Sequence, residues 1–320
     1  MITRRFWIAL LAIATSLPLQ PSASAQAPAP SDLPNLLQKL IASDEIQRRQ
    51  IMEQLDQVQD PDVLVPPVFA ALETVEPREA WKLLDILARF PDRAKPEPLL
   101  RLARRSEEIP DTLKQQLVSI GDPARPALLK AIADTCVTWK PEAPMTRYAP
   151  QPESRQIDEG AIRTRHSIHW AAGVLSDTGS KGRNALLGML HSRDACQLFV
   201  AQEGLTEYVL GADRPLDPQV INGLTAALSA ASPAEQKAAV LVVEPMIGYD
   251  VADLSPQMTR SLFAILKAHP DTEARRAAFD LLCHADGDIP EKAAEIASHD
   301  PDESIKNSAT DVLENLPHPR

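Results

Sequence analysis

The chain has 320 residues, with 44 acidic against 33 basic side chains, a net charge of −11 at neutral pH and only 4% aromatic residues. So acidic a surface repels phosphate backbones, which argues against nucleic acid as a partner. Few glycines and aromatics, with abundant Ala and Leu, argue for helices and against a sandwich or barrel.

Residues 1–25 read as a secretory signal peptide. Arg4 and Arg5 precede an apolar run from Phe6 to Leu17, followed by Pro18, Pro21 and Ala23-Ser24-Ala25, the positive, apolar and small-residue order of an export signal. The run is shorter than the roughly 20 residues a spanning helix needs, so no stable membrane span is expected after cleavage. Thr3-Arg4-Arg5 partly matches a twin-arginine signal, but Ile8 and Ala9 fit that pattern poorly, which favours ordinary secretion. Cleavage after Ala25 removes two arginines and no acids, leaving 31 basic against 44 acidic side chains, a net charge of −13. The expected location is periplasmic or secreted.

Residues 26–35 form an Ala/Pro-rich leader, flexible by composition, with order expected to begin near Leu33. From Leu36 to Leu55 apolar residues recur at helical spacing, and Ser43-Asp44 separates two helices. Asp-Pro pairs then restart the pattern at Asp60-Pro61, Asp122-Pro123 and Asp300-Pro301, with Phe90-Pro91 and His269-Pro270 as variants. An Asp before a helix caps free backbone N–H groups, and Pro at the first helical position lacks an N–H that would have no partner. At Asp300, Glu303 is spaced to complete a capping box.

The segment from His269 to Leu282 is echoed from Asp300 to Leu313 at an offset of 31 residues, pairing Pro270 with Pro301, Asp271 with Asp302, Arg275 with Lys306 and Leu282 with Leu313. A fixed offset of this length is the mark of a stacked helical array. Residues 161–205 predict three helices separated by turns at 176–179 and 191–194, whereas 206–262 contain Asp217-Pro218, Ser232-Pro233, Glu244-Pro245 and Ser255-Pro256 and predict irregular helix pairs.

One interruption stands out. Residues 139–159 contain Pro141, Pro144, Pro150 and Pro152 and little apolar periodicity. A loop this long is often functional or disordered, and Trp139, Met145 and Tyr148 are its candidate partner-binding side chains, set against a plain surface excursion. Cys136 and Cys196 flank it. In an oxidising compartment they can close a bridge, the alternative being three small buried apolar side chains at 136, 196 and 283.

Metal and catalytic chemistry find little footing. His166 and His169 lie on one side of a helix, yet no His-Glu pair or third ligand accompanies them, and packing of His169 at a repeat interface is the stronger reading. His284, Asp286, Asp288 and Glu291 cluster around Gly287, as solvated turns commonly do. Arg101, Arg104 and Arg105 form a small basic patch, as do Arg163 and Arg165; a solvated face is expected for both, the alternative being pairing with carboxylates of a partner or of an adjacent repeat. No catalytic, cofactor-binding or metal residues are therefore assigned.

The order of helix, Gly-containing turn, helix, Asp-bearing turn and helix resembles the HEAT-like repeats of the phycobilin lyase type. The likeness rests on residues 173–179 (GVLSDTG), on 120–129 (IGDPARPALL) and on the copies beginning at Pro270 and Pro301. It implies an all-α fold, an α-solenoid of stacked antiparallel helix pairs over residues 36–316 wound into a right-handed superhelix. The absent His-Glu pairs separate the chain from HEAT-repeat di-iron hydroxylases. Two function classes follow: a non-enzymatic scaffold binding a protein or peptide partner in the cell envelope, and a cofactor- or metal-handling lyase-like or chaperone-like subunit.

Overall fold

The computed structural model describes residues 28–106, 109–139, 159–211, 216–245 and 254–315. These residues form sixteen α-helices joined by turns and short 3-10 segments, with no strand among them. The helices are α1 (Leu33–Ala42), α2 (Glu45–Leu55), α3 (Pro61–Thr74), α4 (Trp81–Leu87), α5 (Pro96–Arg105), α6 (Asp111–Ile120), α7 (Arg125–Cys136) and α8 (Glu159–Asp177). They continue as α9 (Ser180–Leu190), α10 (Ala195–Gly211), α11 (Pro218–Leu228), α12 (Pro233–Val243), α13 (Pro256–Ala268), α14 (Thr272–Cys283), α15 (Ile289–Ala297) and α16 (Glu303–Asn315).

Alternate helices stack. On the odd-numbered side α1 packs on α3, α3 on α5 and α5 on α7; then α9 packs on α11, α11 on α13 and α13 on α15. The even-numbered side is continuous from α4 through α6, α8, α10, α12 and α14 to α16. Each helix must bury one apolar stripe, and the two stacks meet over one cluster of buried side chains running from Leu33 to Ala309. A fully buried leucine such as Leu84, Leu186 or Leu262 stabilises by roughly 1.5–3 kcal/mol before entropy is counted.

The caps carry the sequence pattern into geometry, with shifts. Asp60 accepts from the Asp62 N–H, Asp44 from Gln47, Asp217 from Gln219 and Asp271 from Ala274, each worth about 1 kcal/mol. Ser43-Asp44 does separate α1 from α2. Asp122, expected to cap, makes no cap bond; its carboxylate pairs with Arg125 at 2.9 Å and Lys181 at 2.7 Å. At the last repeat the cap is Asp302, whose Oδ1 accepts from Ser304 and Ile305, while among the backbone N–H groups of this turn Asp300 accepts from that of Asp302. The cap is thereby displaced by two residues from Asp300 and the expected box is not made: the position three past Asp302 is Ile305, and Glu303 pairs with Lys306 at 2.6 Å.

Helices form over the described part of 206–262, as expected of helix pairs there; residues 212–215 and 246–253 lie outside the described residues. Asp217-Pro218, Ser232-Pro233 and Ser255-Pro256 each place a capping side chain at the N-cap and proline in the first turn, opening α11, α12 and α13. Their prolines start helices. At the other end α1 begins at Leu33, which is buried, so helix replaces the last residues of the leader expected over 26–35.

Candidate functional site

Charged side chains at the joints face neighbouring repeats. Arg101 pairs with Glu73, Arg104 with Asp134 at 3.1 Å, and Arg105 donates to the carbonyls of Leu72 and Glu73. The basic patch at 101–105 is exposed, as expected, and its side chains also reach across the surface from α5 to α3 and α7. Arg183 of α9 likewise reaches the Asp217 cap of α11 at 3.1 Å, and Lys237 of α12 reaches Asp271 at 2.8 Å and Glu273 at 2.9 Å on α14.

The joint among α7, α8 and α10 gathers most of the sequence candidates. Cys136 at the end of α7 is bonded to Cys196 in the first turn of α10, their Cα atoms 5.7 Å apart. Just beyond the bond, Trp139 stacks on Phe199 with ring centroids 5.6 Å apart, and the Arg165 guanidinium lies 5.3 Å from the same Phe199 ring. Trp139 is thus held by its own chain. Met145 and Tyr148 lie outside the described residues.

One helical turn along α8, His169 sits between two carboxylates of α10. Its Nδ1 is 2.7 Å from Glu203 and its Nε2 is 3.4 Å from Glu207. The hydrogen bond to Glu203 raises the His169 pKa above the usual imidazole value; partial burial and the nearby Lys114 ammonium oppose this, and Glu207 adds to it. Lys114 of α6 pairs with Asp177 of α8 at 3.1 Å. The two ring nitrogens point to different carboxylates, so His169 acts as a bridge between helices. Among the described residues no group of three or more His, Cys, Asp or Glu side chains is arranged to hold a metal ion.

A second site lies where α13, α14, α15 and α16 meet. An open cleft of about 480 Å³ is lined by Leu266, Lys267, Glu295, Ile296 and His299, with Arg275 and Asp300 also lining it. Arg275 is fully engaged: Nε donates to Asp300 Oδ2 at 2.8 Å, Nη2 to Asp300 Oδ1 at 3.1 Å and Nη1 to the His269 carbonyl at 2.9 Å. His269 is buried, with Nδ1 accepting from the Asp271 N–H at 3.0 Å and Nε2 bonded to the Pro233 carbonyl at 2.8 Å. These polar groups tie α14 to the start of α16 and to the start of α12.

At the turn after α14, His284 Nδ1 bonds the Asp280 carbonyl at 2.7 Å and Asp288 pairs with Lys292. Gly287 takes a φ of 73°, which a side chain rarely adopts. Burial, with Asp280 adding to it, pushes the Cys283 thiol up to about 12, far from the thiolate a nucleophile needs.

The Arg275–Asp300 pair and the Glu203 and Glu207 partners of His169 are the principal residues that pattern reading passes over. The first has a signal: His269 and Asp300 occupy equivalent positions in the 31-residue repeat, each accepting from the N–H of the capping Asp two residues on. The second has none, because residues 34 and 38 positions from His169 meet it only once α8 and α10 pack. No protein-family model matches the chain, and no curated protein matches it.

Proposed function

We propose that this chain is an exported, non-enzymatic scaffold of the HEAT-like α-solenoid type, cleaved after Ala25, that binds a protein or peptide partner in the cell envelope on the surface of its helix stacks. The observation that carries this reading is the stacking of alternate helices into two rows over one continuous core, because arrays of this kind offer extended surfaces for partners. The ion pairs at successive joints are consistent with it: they run between neighbouring helices of one stack and leave outer helix faces free for contact. Among the described residues no helix is long and apolar enough to cross a membrane.

Photo-crosslinking in intact cells tests the reading. The crosslinker is placed at exposed Arg163 and Thr272 on even-numbered helices and at exposed Lys130 and Asn222 on odd-numbered helices. Reproducible capture of one partner from one stack is the expected result; absence of any partner at all four positions contradicts it. Protein recovered from the envelope should begin at Gln26. A stoichiometric metal or chromophore in that material would instead favour the cofactor-handling class.

A further inference from the structure

The two stacks are not equally continuous at their middle. The even-numbered stack passes through α8 without a break, whereas no packing between α7 and α9 matches that of α5 on α7 or α9 on α11. From α7 the joint is crossed by the Cys136–Cys196 bond to α10 and by a light packing of α7 on α10; the Lys181–Asp122 pair toward α9 is exposed, and exposed pairs of that kind contribute little. The helix α8 touches α6, α7, α9 and α10 and is the main element shared by both halves; α10 also touches α7 more lightly, close to the Cys136–Cys196 bond and the Trp139–Phe199 stack.

We propose that the Cys136–Cys196 bond is a redox lock on this joint: oxidised, it fixes the angle between the α1–α7 half and the α9–α16 half; reduced, it frees the halves to move about α8. The two cysteines differ in access. Cys196 is buried, while Cys136 is half-buried and followed by Val137, which is 86% exposed. A dithiol reductant therefore attacks at Cys136. Its thiolate forms a bond to Cys136 Sγ, the protein disulfide breaks, and Cys196 leaves as a thiolate that takes a proton. The second thiol of the reductant then displaces Cys136 and closes the reductant's own disulfide. The protein gains two electrons and two protons, and the dithiol loses them. Reduction also loosens the anchor of Trp139, three residues past Cys136, on Phe199.

The test is a distance measurement on the full mature chain. Spin labels at Glu97→Cys on α5 and Asn222→Cys on α11, in a Cys283→Ala background, report across the joint; labels at Asn222→Cys and Thr272→Cys report within one half. With the bond closed, both pairs should give single narrow distributions. In the Cys136→Ala/Cys196→Ala variant the cross-joint distribution should broaden or shift while the within-half distribution stays unchanged. Superimposable cross-joint distributions would overturn the proposal, as would equal broadening of both pairs. If the double variant is not folded by circular dichroism, wild-type protein treated with a dithiol is followed by hydrogen exchange. Faster exchange confined to the end of α7 and the start of α10 supports the lock, and uniform or unchanged exchange overturns it.

Discussion

Replacing Gly182 by alanine tests how α9 is seated against α8. A Cβ built at Gly182 falls 1.9 Å from the Leu175 carbonyl oxygen and 2.6 Å from Thr178 Oγ1. The first of these is backbone and cannot rotate away, so α9 must shift. Overpacking of this kind costs about 1–3 kcal/mol, against a gain of about 0.5–1 kcal/mol from replacing glycine within a helix. With the contact at the severe end, a net loss of about 2 kcal/mol is expected. Gly188, two turns along the same helix, has nothing within 4 Å of its Cβ position, so Gly188→Ala should stabilise by about 0.5–1 kcal/mol. Gly223→Ala should fall between them, since its Cβ meets the movable tip of Leu187 at 2.7 Å. Thermal and urea unfolding followed by circular dichroism reads the order. At about 2–4 °C per kcal/mol, the midpoints of the 182 and 188 variants should separate by roughly 5–12 °C. Equal stability of those two variants would refute the close approach of α9 to the end of α8.

Three further outcomes follow from the joints. Arg275→Ala leaves the buried Asp300 carboxylate without its partner and should cost about 3–5 kcal/mol, whereas Lys306→Ala, 31 residues on, loses only an exposed pair with Glu303 and should change stability by less than about 1 kcal/mol; comparison of their urea midpoints checks this. Cys136 and Cys196 are separated by 60 residues, so reduction should lower unfolding stability by about 4 kcal/mol in the chain-entropy model, seen as a urea-midpoint difference that vanishes in the double-alanine variant. His169, whose pKa is raised by Glu203, contributes stability that is fully present below the imidazole's unfolded pKa of about 6.5 and lost as pH rises through the raised value. His169→Gln should therefore flatten the fall in stability on going from acid to mildly alkaline pH, and an unchanged pH profile would count against the bridge.

Helix content and helix starts were legible because they depend on neighbours in sequence. Asp60-Pro61 and Ser43-Asp44 carry their capping partners within three residues, so local chemistry decides them. Within 206–262, Asp217-Pro218, Ser232-Pro233 and Ser255-Pro256 read as breaks in the pattern, but each opens a helix because the residue before the proline is a cap. Asp122 and Asp300 escaped for a different reason. Each is claimed by a cation from elsewhere in the chain, Lys181 or Arg275, and a charged hydrogen bond outweighs a single backbone cap. The bridging role of His169 was illegible for the same cause: its carboxylates belong to the next even-numbered helix. Trp139 looked free because nothing nearby in sequence covers it, and only the meeting of α7 with α10 brings Phe199 beneath it.

The central claim, that the chain is an open array of repeated units, is tested most directly by adding a unit. A second copy of residues 270–300, inserted between Asp300 and Pro301, supplies one more α14 and α15 together with one more Arg275–Asp300 clasp. An array takes up the extra repeat: the extended protein should be soluble, keep the same helical signal per residue, and unfold no earlier than the parent. Loss of helical signal or of cooperative unfolding on insertion would show a closed core and contradict the account.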